Sequence, residues 1–511
     1  MLWVLIALGI LLLIVLFDLF QTKHAILRNF PIIGHFRYLL ESIGPELRQY
    51  IVTGNDEERP FSRDQRRWVY ASSKKQNEYF GFGTDNDPEI ATNYLILKQA
   101  AEPYRAPQIH DLSDRFYPVP CVKVLGGYRN REKSFRPASV VNVSAMSFGS
   151  LSAQAVEALN RGCQTASCLH NTGEGGVSTH HLRGGDLIWQ IGTGYFGCRA
   201  PDGSFSMERF KETVAKDAVK AVEVKLSQGA KPGLGGVLPG KKVTAEIAKA
   251  RGVSIGETCI SPAYHTAFRG PDEMLDFIEQ LAEESGGLPI GIKSAVGDIR
   301  FWEQLADLMA KGDRGVDFIT IDGGEGGTGA APLSFSDHVS LPFKMGFSRV
   351  YRVFAERGLC DQIVFLGGGK LGFPEQAMFA FALGVDMVNV AREAMLAIGC
   401  IQAQRCHTNH CPTGVATQNK WLARGLDPTH KAFRLANYMG TLRKEILRLS
   451  WALGKPHPAL ITLEDFEIMD GLYGARHPRT LFGYQEGWGL VGEDLQNQAY
   501  SLMDEIFNGR H

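Results

Sequence analysis

DFITIDGGEGGTG, residues 317–329, opens on six residues of β-forming character and runs directly into a glycine-rich turn. IVFLGGGK (363–370) repeats the arrangement, and PIGIKSA (289–295) and DMVNVA (386–391), with Arg392 directly after it, share its first half. Short apolar runs bounded by turn residues read as strands buried on both faces, as in a parallel sheet. Working outward, VVNVSA (140–145), SCLHNT (167–172), AVEVKL (221–226) and TCISP (258–262) bring the strands to eight. Between several of them lie stretches with apolar residues three and four apart: SAQAVEALNRGCQTA (152–166), FWEQLADLMAKG (301–312) and PEQAMFAFALG (374–384). Strand–helix alternation repeated eight times over ~250 residues predicts an α/β fold of the TIM-type (β/α)8 barrel class.

The barrel is expected over residues 139–418, with an N-terminal helical and loop segment at 21–138 and a C-terminal helical extension at 419–511. Within that extension, AFRLANYMGTLRKEILRLSWALG (432–454) has the spacing of an amphipathic helix. Residues 1–17, MLWVLIALGILLLIVLF, are apolar and uncharged, so 1–20 is expected to be a transmembrane anchor. Lys23 and Arg28 follow it and place the body on the cytoplasmic side of a single-pass cell-membrane protein. A secretory signal would carry a basic start and a small-residue cleavage site, and neither is visible; a cleaved signal and a buried core helix are the alternatives. The net charge of −1 argues against a nucleic-acid partner. Nine sparse cysteines argue against a disulfide framework.

Barrel enzymes do their chemistry where strands end, so the residues after each run are the candidates. Ser144, Ala145, Met146 and Ser147 follow the first strand, Thr172 and Glu174 the second, and Gln228 the stretch SQGAKPGLGG (227–236). Gly368, Gly369 and Arg392 stand after the seventh and eighth strands, where such barrels build a phosphate site, with glycine amides and a guanidinium to meet the charge, and Gly323, Gly324 and Gly327 form a second glycine run after the sixth. Tight turns needing positive φ would use the same glycines. Lys293, inside a strand, needs an anionic partner, which is either Glu174, Asp322 or a bound group. In CIQAQRCHTNHC the thiols of Cys400, Cys406 and Cys411 suit an iron-sulfur cluster or zinc, while unligated buried thiols remain the plain alternative.

These residues resemble the FMN-binding synthase domain of glutamate synthase, in its stand-alone, membrane-anchored bacterial form. The resemblance rests on ILRNFPIIGHFRYLLESIGPELRQY (26–50), SAMSFGSLS, NTGEGG, SQGAKPGLGG, GGEGGTGAAP and CHTNHCPTGVATQ, in that order. It implies FMN in the barrel and a 3Fe-4S cluster on Cys400, Cys406 and Cys411. Electrons would pass from ferredoxin or a reductase subunit through that cluster to FMN. It also implies reductive amination of 2-oxoglutarate with ammonia, through 2-iminoglutarate, to L-glutamate. Glu174, Gln228 and Lys293 would be catalytic, Ser144, Ala145, Met146, Ser147 and Thr172 would line the flavin, Gly323, Gly324, Gly368 and Gly369 would hold its phosphate, and Lys231 and Lys293 would meet the dicarboxylate. No stretch resembles the family's glutaminase domain, so ammonia would be free or delivered by a separate glutaminase-like subunit. Two motifs depart from the family: GTGYFGC (192–198) carries Tyr195 where an arginine is common, and DGGEGG replaces a His-Asp pair. N-methylglutamate formation with partner subunits, or a membrane-tethered electron-transfer role, are the alternatives.

Overall fold

The computed structural model describes residues 1–76, 81, 83–105 and 117–507, and its chain divides into two compact units, Met1–Arg67 and Trp68–His511. Residues 106–116 of the expected N-terminal segment lie outside the described residues. The first unit holds the helices Leu2–Phe20, Ala25–Asn29 and Ile33–Leu47. Leu2–Phe20 is long and apolar enough to cross a membrane.

The second unit is built on a closed barrel of eight parallel strands. In chain order they are β1 (Val141–Val143), β2 (His170–Asn171), β3 (Leu187–Ile191), β4 (Val219–Lys225), β5 (Ile290–Ser294), β6 (Phe318–Asp322), β7 (Val364–Gly368) and β8 (Met387–Val390). Strand β8 pairs with β1 and closes the ring. The (β/α)8 expectation is met, with one strand corrected. TCISP is not in the barrel: Cys259–Ile260 pairs antiparallel with Val237–Leu238 in the excursion between β4 and β5. Ile260 is 70% exposed, whereas a barrel strand must be covered on both faces. The missing strand is β3, LIWQI, every residue of which is buried. AVEVKL is therefore the fourth strand.

Local signals explain the helix limits. Ser152 caps the helix Ala153–Ala166 by accepting the Ala155 N–H at 3.2 Å, and Ser167 ends it in the left-handed region at φ 50°. That ending confines the predicted 167–172 strand to His170–Asn171. No helix separates β2 from β3. The 25-residue helix Pro428–Ala452 lies close against Ala153–Ala166: a Cβ on Gly162 would stand 2.7 Å from the Leu435 side chain.

The amino end of the barrel is sealed by apolar packing. Leu169, Ile188, Ala221, Phe318, Val364, Leu366 and Met387, near the strand starts, cluster with Cys121 and Leu125 from the segment before β1. Lys123 and Asp386 pair beside this plug at 3.0 Å. The carboxyl end is left for chemistry. Within the plug Gly291 faces the Phe318 ring, and an added Cβ would lie 2.4 Å from it. Gly291→Ala is expected to cost about 1–3 kcal/mol by overpacking, read as a lower midpoint in denaturant. An unchanged midpoint would show that the ring yields.

Candidate active site at the carboxyl end of the barrel

Strand β4 alternates Val222, Glu223, Val224 and Lys225, so Glu223 and Lys225 share one face. In the closed barrel that face is the interior. Glu223 is fully buried and accepts hydrogen bonds from Asn171 (2.8 Å), Gln190 (2.6 Å) and Thr320 (2.6 Å), which tie β2, β3 and β6 to β4. One layer nearer the carboxyl end, Lys225 and Lys293 are register partners on β4 and β5. Lys225 Nζ lies 2.9 Å from Glu174 Oε1 and donates to Gln228 Oε1 at 2.7 Å. Burial pushes the Glu174 carboxyl up, but Lys225, with Lys231 and Arg251, outweighs it and holds the pKa below the ordinary value. The expected candidates Glu174 and Gln228 thus meet through Lys225, a residue not singled out from the sequence.

Lys293 is 5% exposed, and its ion pair with Asp322 Oδ1 spans 3.6 Å, too long for a hydrogen bond. Glu174, the other expected partner, is taken by Lys225. Lys231 donates to the Ala330 carbonyl at 3.0 Å, and burial lowers its pKa to about 8, with neighbouring Lys225 pushing the same way. Among the described residues neither Lys231 nor Lys293 has a carboxylate within hydrogen-bond distance. Two buried ammonium groups, one held by a carbonyl and the other by a loose ion pair, keep donors to spare and fit an anionic cofactor or substrate.

The loops after the strands are locked by close backbone contacts. Gly173, at φ 66°, sits where a Cβ would lie 2.6 Å from the Ser147 amide, which joins the loops after β1 and β2. Ser144 N–H bonds to Val390 O at 2.9 Å, and Thr172 Oγ accepts the Gln190 N–H at 3.1 Å. Ala145 and Met146 lie between Ser144 and Ser147 on the same loop, and Arg251 donates to Ser147 Oγ at 3.3 Å. In the expected phosphate quarter, Gly323 N–H donates to Gly368 O and Gly324 N–H to Leu341 O, both at 2.8 Å. The amides of Gly327 and Gly369 have no such partner among the described residues. Arg392 packs on Gly327 and donates to the Glu325 carbonyl.

Tyr195 does not offer its hydroxyl to a substrate. The oxygen accepts the N–H groups of Thr266 (2.9 Å) and Ala267 (3.0 Å). Burial lowers the His265 pKa to about 4, so the ring is neutral near pH 7. His265 Nε2 lies 2.9 Å from the Lys225 carbonyl and must carry the proton, leaving Nδ1 to accept from Tyr195 O–H at 3.2 Å. Tyr195 and His265 therefore fix the backbone beneath Lys225.

Cys400, Cys406 and Cys411 line one small cavity together with Met395, Thr413 and Val415. Non-glycine residues at positive φ, namely Gln402, Gln404 and Asn409, fold the loop back so that this happens. Burial pushes the Cys400 thiol up to about 12, and neighbouring Cys406 and Cys411 add to it. Among the described residues no three His, Cys, Asp or Glu side chains stand as a ready metal-binding group. The buried Lys242 ammonium donates to Ser150 O (2.8 Å) and Cys406 O (3.0 Å), joining the cysteine loop to the loop after β1. Soft donors around one cavity fit an iron-sulfur cluster. Cys163, Cys168 and Cys259 are buried elsewhere.

Replacing Lys225 by Met leaves the half-buried Glu174 without its ion-pair partner. The expected loss is about 3 kcal/mol at neutral pH. Because the native Glu174 pKa is depressed, its contribution is present above the unfolded carboxyl pKa and fades as pH falls through the folded one. The deficit of Lys225→Met in denaturant titrations should therefore shrink toward acid. A deficit independent of pH would separate it from the pair.

A sequence profile described as the conserved region in glutamate synthase matches residues 120–456. The Bacillus subtilis glutamate synthase large subunit-like protein YerD is 41% identical over 86% of this chain and 88% of its own. The archaeal glutamate synthase [NADPH] of Methanocaldococcus jannaschii is 34% identical over 61% of this chain and 59% of its own. The glutamate synthase [NADPH] large chain of Bacillus subtilis is 33% identical over 61% of this chain but only 20% of its own length. With the profile over the whole barrel and a relative matched over most of both chains, the chain belongs to the glutamate synthase family, oxidoreductases that act on CH–NH2 groups.

Proposed function

We propose that this chain is a flavin-dependent, glutamate-forming oxidoreductase: 2-oxoglutarate and ammonia condense to 2-iminoglutarate with loss of water, and two electrons and two protons convert that to L-glutamate. The observation that carries the reading is the pair of buried ammonium groups, Lys231 and Lys293, beside the Glu174–Lys225 ion pair. FMN fits the carboxyl end of the barrel, where Ser144, Ala145, Met146, Ser147 and Thr172 would line its ring and Gly327, Gly369 and Arg392 would meet its phosphate. Gly323, Gly324 and Gly368 shape that quarter of the wall. Bound there in its reduced form, FMN would supply the hydride.

The chain's own residues do the rest. Lys231 supplies positive charge to a substrate carboxylate. Lys293 offers an ammonium to charge that gathers on the cofactor. Glu174, ionised and held by Lys225, is the proton-handling group, and Gln228, fixed by the same lysine, orients the substrate. Cys400, Cys406 and Cys411 would hold a 3Fe-4S cluster, whose chemistry is one-electron transfer. Its electrons would come from a ferredoxin or reductase partner and go on to the flavin, and ammonia would come from solution or a glutaminase-like subunit. Leu2–Phe20 would anchor the protein once across the membrane, with Lys23 and Arg28 keeping the body in the cytoplasm.

Anaerobic, dithionite-reduced holoprotein given 2-oxoglutarate and ammonium should reoxidise its flavin and release glutamate; saturating substrate without either response overturns the reaction. The KM for 2-oxoglutarate should rise above pH about 8 as Lys231 loses its proton, and Lys231→Arg should remove that rise. Lys293→Ala should lower the flavin potential by about 30 mV, the equivalent of about 1.4 kcal/mol for a two-electron couple. Cys406→Ser should lose iron while Cys163→Ser keeps it, and zinc in place of iron would overturn the cluster.

A further inference from the structure

After the helix Leu2–Phe20 the chain turns back on itself, and two contacts define the elbow. Asp18, in the last turn of that helix, is buried, and its carboxylate accepts the Ile32 N–H at 3.0 Å and His35 Nε2–H at 2.8 Å. Gly34 approaches the short helix Ala25–Asn29 so closely that a Cβ would stand 3.0 Å from the Leu27 side chain and 3.1 Å from Ile26 O. The start of the helix Ile33–Leu47 is thereby clipped to the end of Leu2–Phe20, where the apolar run gives way to Gln21, Lys23 and His24. If Leu2–Phe20 spans a bilayer, this level is the headgroup boundary.

The clipped helix is amphipathic. Ile33, Phe36, Leu40, Ile43 and Leu47 recur at three- and four-residue spacing and form one stripe. All five are exposed, with Ile33 at 76% and Phe36 at 62%. Water on that stripe is costly, since each such side chain gains about 1.5–3 kcal/mol on burial. The other face carries the Arg37–Glu41 ion pair at 2.7 Å and Ser42. Residues 21–52 hold four basic side chains (Lys23, Arg28, Arg37 and Arg48) against two acidic ones (Glu41 and Glu46). That sign matches anionic lipid headgroups.

We propose that Ile33–Leu47 lies in the plane of the membrane interface with its apolar stripe in the acyl boundary, making the elbow at Asp18 the junction between a crossing helix and a surface helix. This rests on the reading of Leu2–Phe20 as a membrane span. The interface helix would fix the height and tilt of the chain at the bilayer surface, which a single span leaves free to rotate.

The test uses full-length holoprotein in nanodiscs of phosphatidylcholine with one-quarter phosphatidylglycerol. The photocrosslinker p-benzoylphenylalanine is placed singly at Leu12, Phe36, Ser42 or Ile43, and lipid adducts are counted by mass spectrometry. Adducts at Leu12, and about tenfold more at Phe36 and Ile43 than at Ser42, are expected. Adducts at Leu12 without that excess would overturn the surface helix and leave the span intact. Absence at Leu12 as well as at Phe36 and Ile43 would overturn both. Crosslinks from Phe36 to a second copy or to the chain's own body would also overturn the proposal.

Discussion

A charged side chain inside a closed parallel barrel must be paired or hydrogen-bonded, because the ring of strands shuts it away from water. Strand β4 places Glu223 and Lys225 in that interior, and the layers of the barrel answer to them. Below Glu223 the amino end is apolar and sealed by Phe318, Leu366 and Met387 with Cys121 and Leu125. At its own level Asn171, Gln190 and Thr320 saturate the carboxylate. Above it, Lys225 and Lys293 stand side by side in register, and only Lys225 has a carboxylate at hydrogen-bond distance. The polarity of the site is thus set by the order of residues along one strand.

The excursion between β4 and β5 does most of the organising around this layer. It contributes Gln228 and Lys231 to the charged group, Arg251 to the loop after β1, and His265 to the backbone of Lys225. Through Lys242 it also touches the carbonyls of Ser150 and Cys406, so the expected flavin wall and the cysteine loop share one buried cation. Two regions that exchange electrons in the proposed function are therefore held in register by the same segment. Rigid support of this kind is what short-range electron and hydride transfer needs.

Seven of the eight barrel strands and the main helices are legible in the sequence, because buried strands and amphipathic helices have different periods. LIWQI was missed for a physical reason. Strand β2 is two residues long and no helix follows it, so the strand–helix rhythm breaks there, and Gln190 interrupts the apolar run. TCISP took its place because a β-prone run does not announce whether both faces will be covered. Lys225 was overlooked because Val-Glu-Val-Lys also describes a half-exposed strand. Tyr195 marked a departure from the family pattern, yet its use as a clamp on residues 266 and 267 required the folded loop.

What the sequence by itself determined is the class of fold, the strand-end positions of Glu174, Gln228, Lys293 and the glycines, and the grouping of three cysteines within twelve residues. Periodicity and turn chemistry are local, and local rules are enough for those. Only the tertiary structure decided that the charged face of β4 points inward, that Glu174 pairs with Lys225 while Lys293 has only the longer ion pair with Asp322, and that Lys242 joins the cysteine loop to the loop after β1. Those outcomes depend on ring closure, which brings residues far apart in the chain to hydrogen-bond distance and excludes the water that would otherwise have satisfied them.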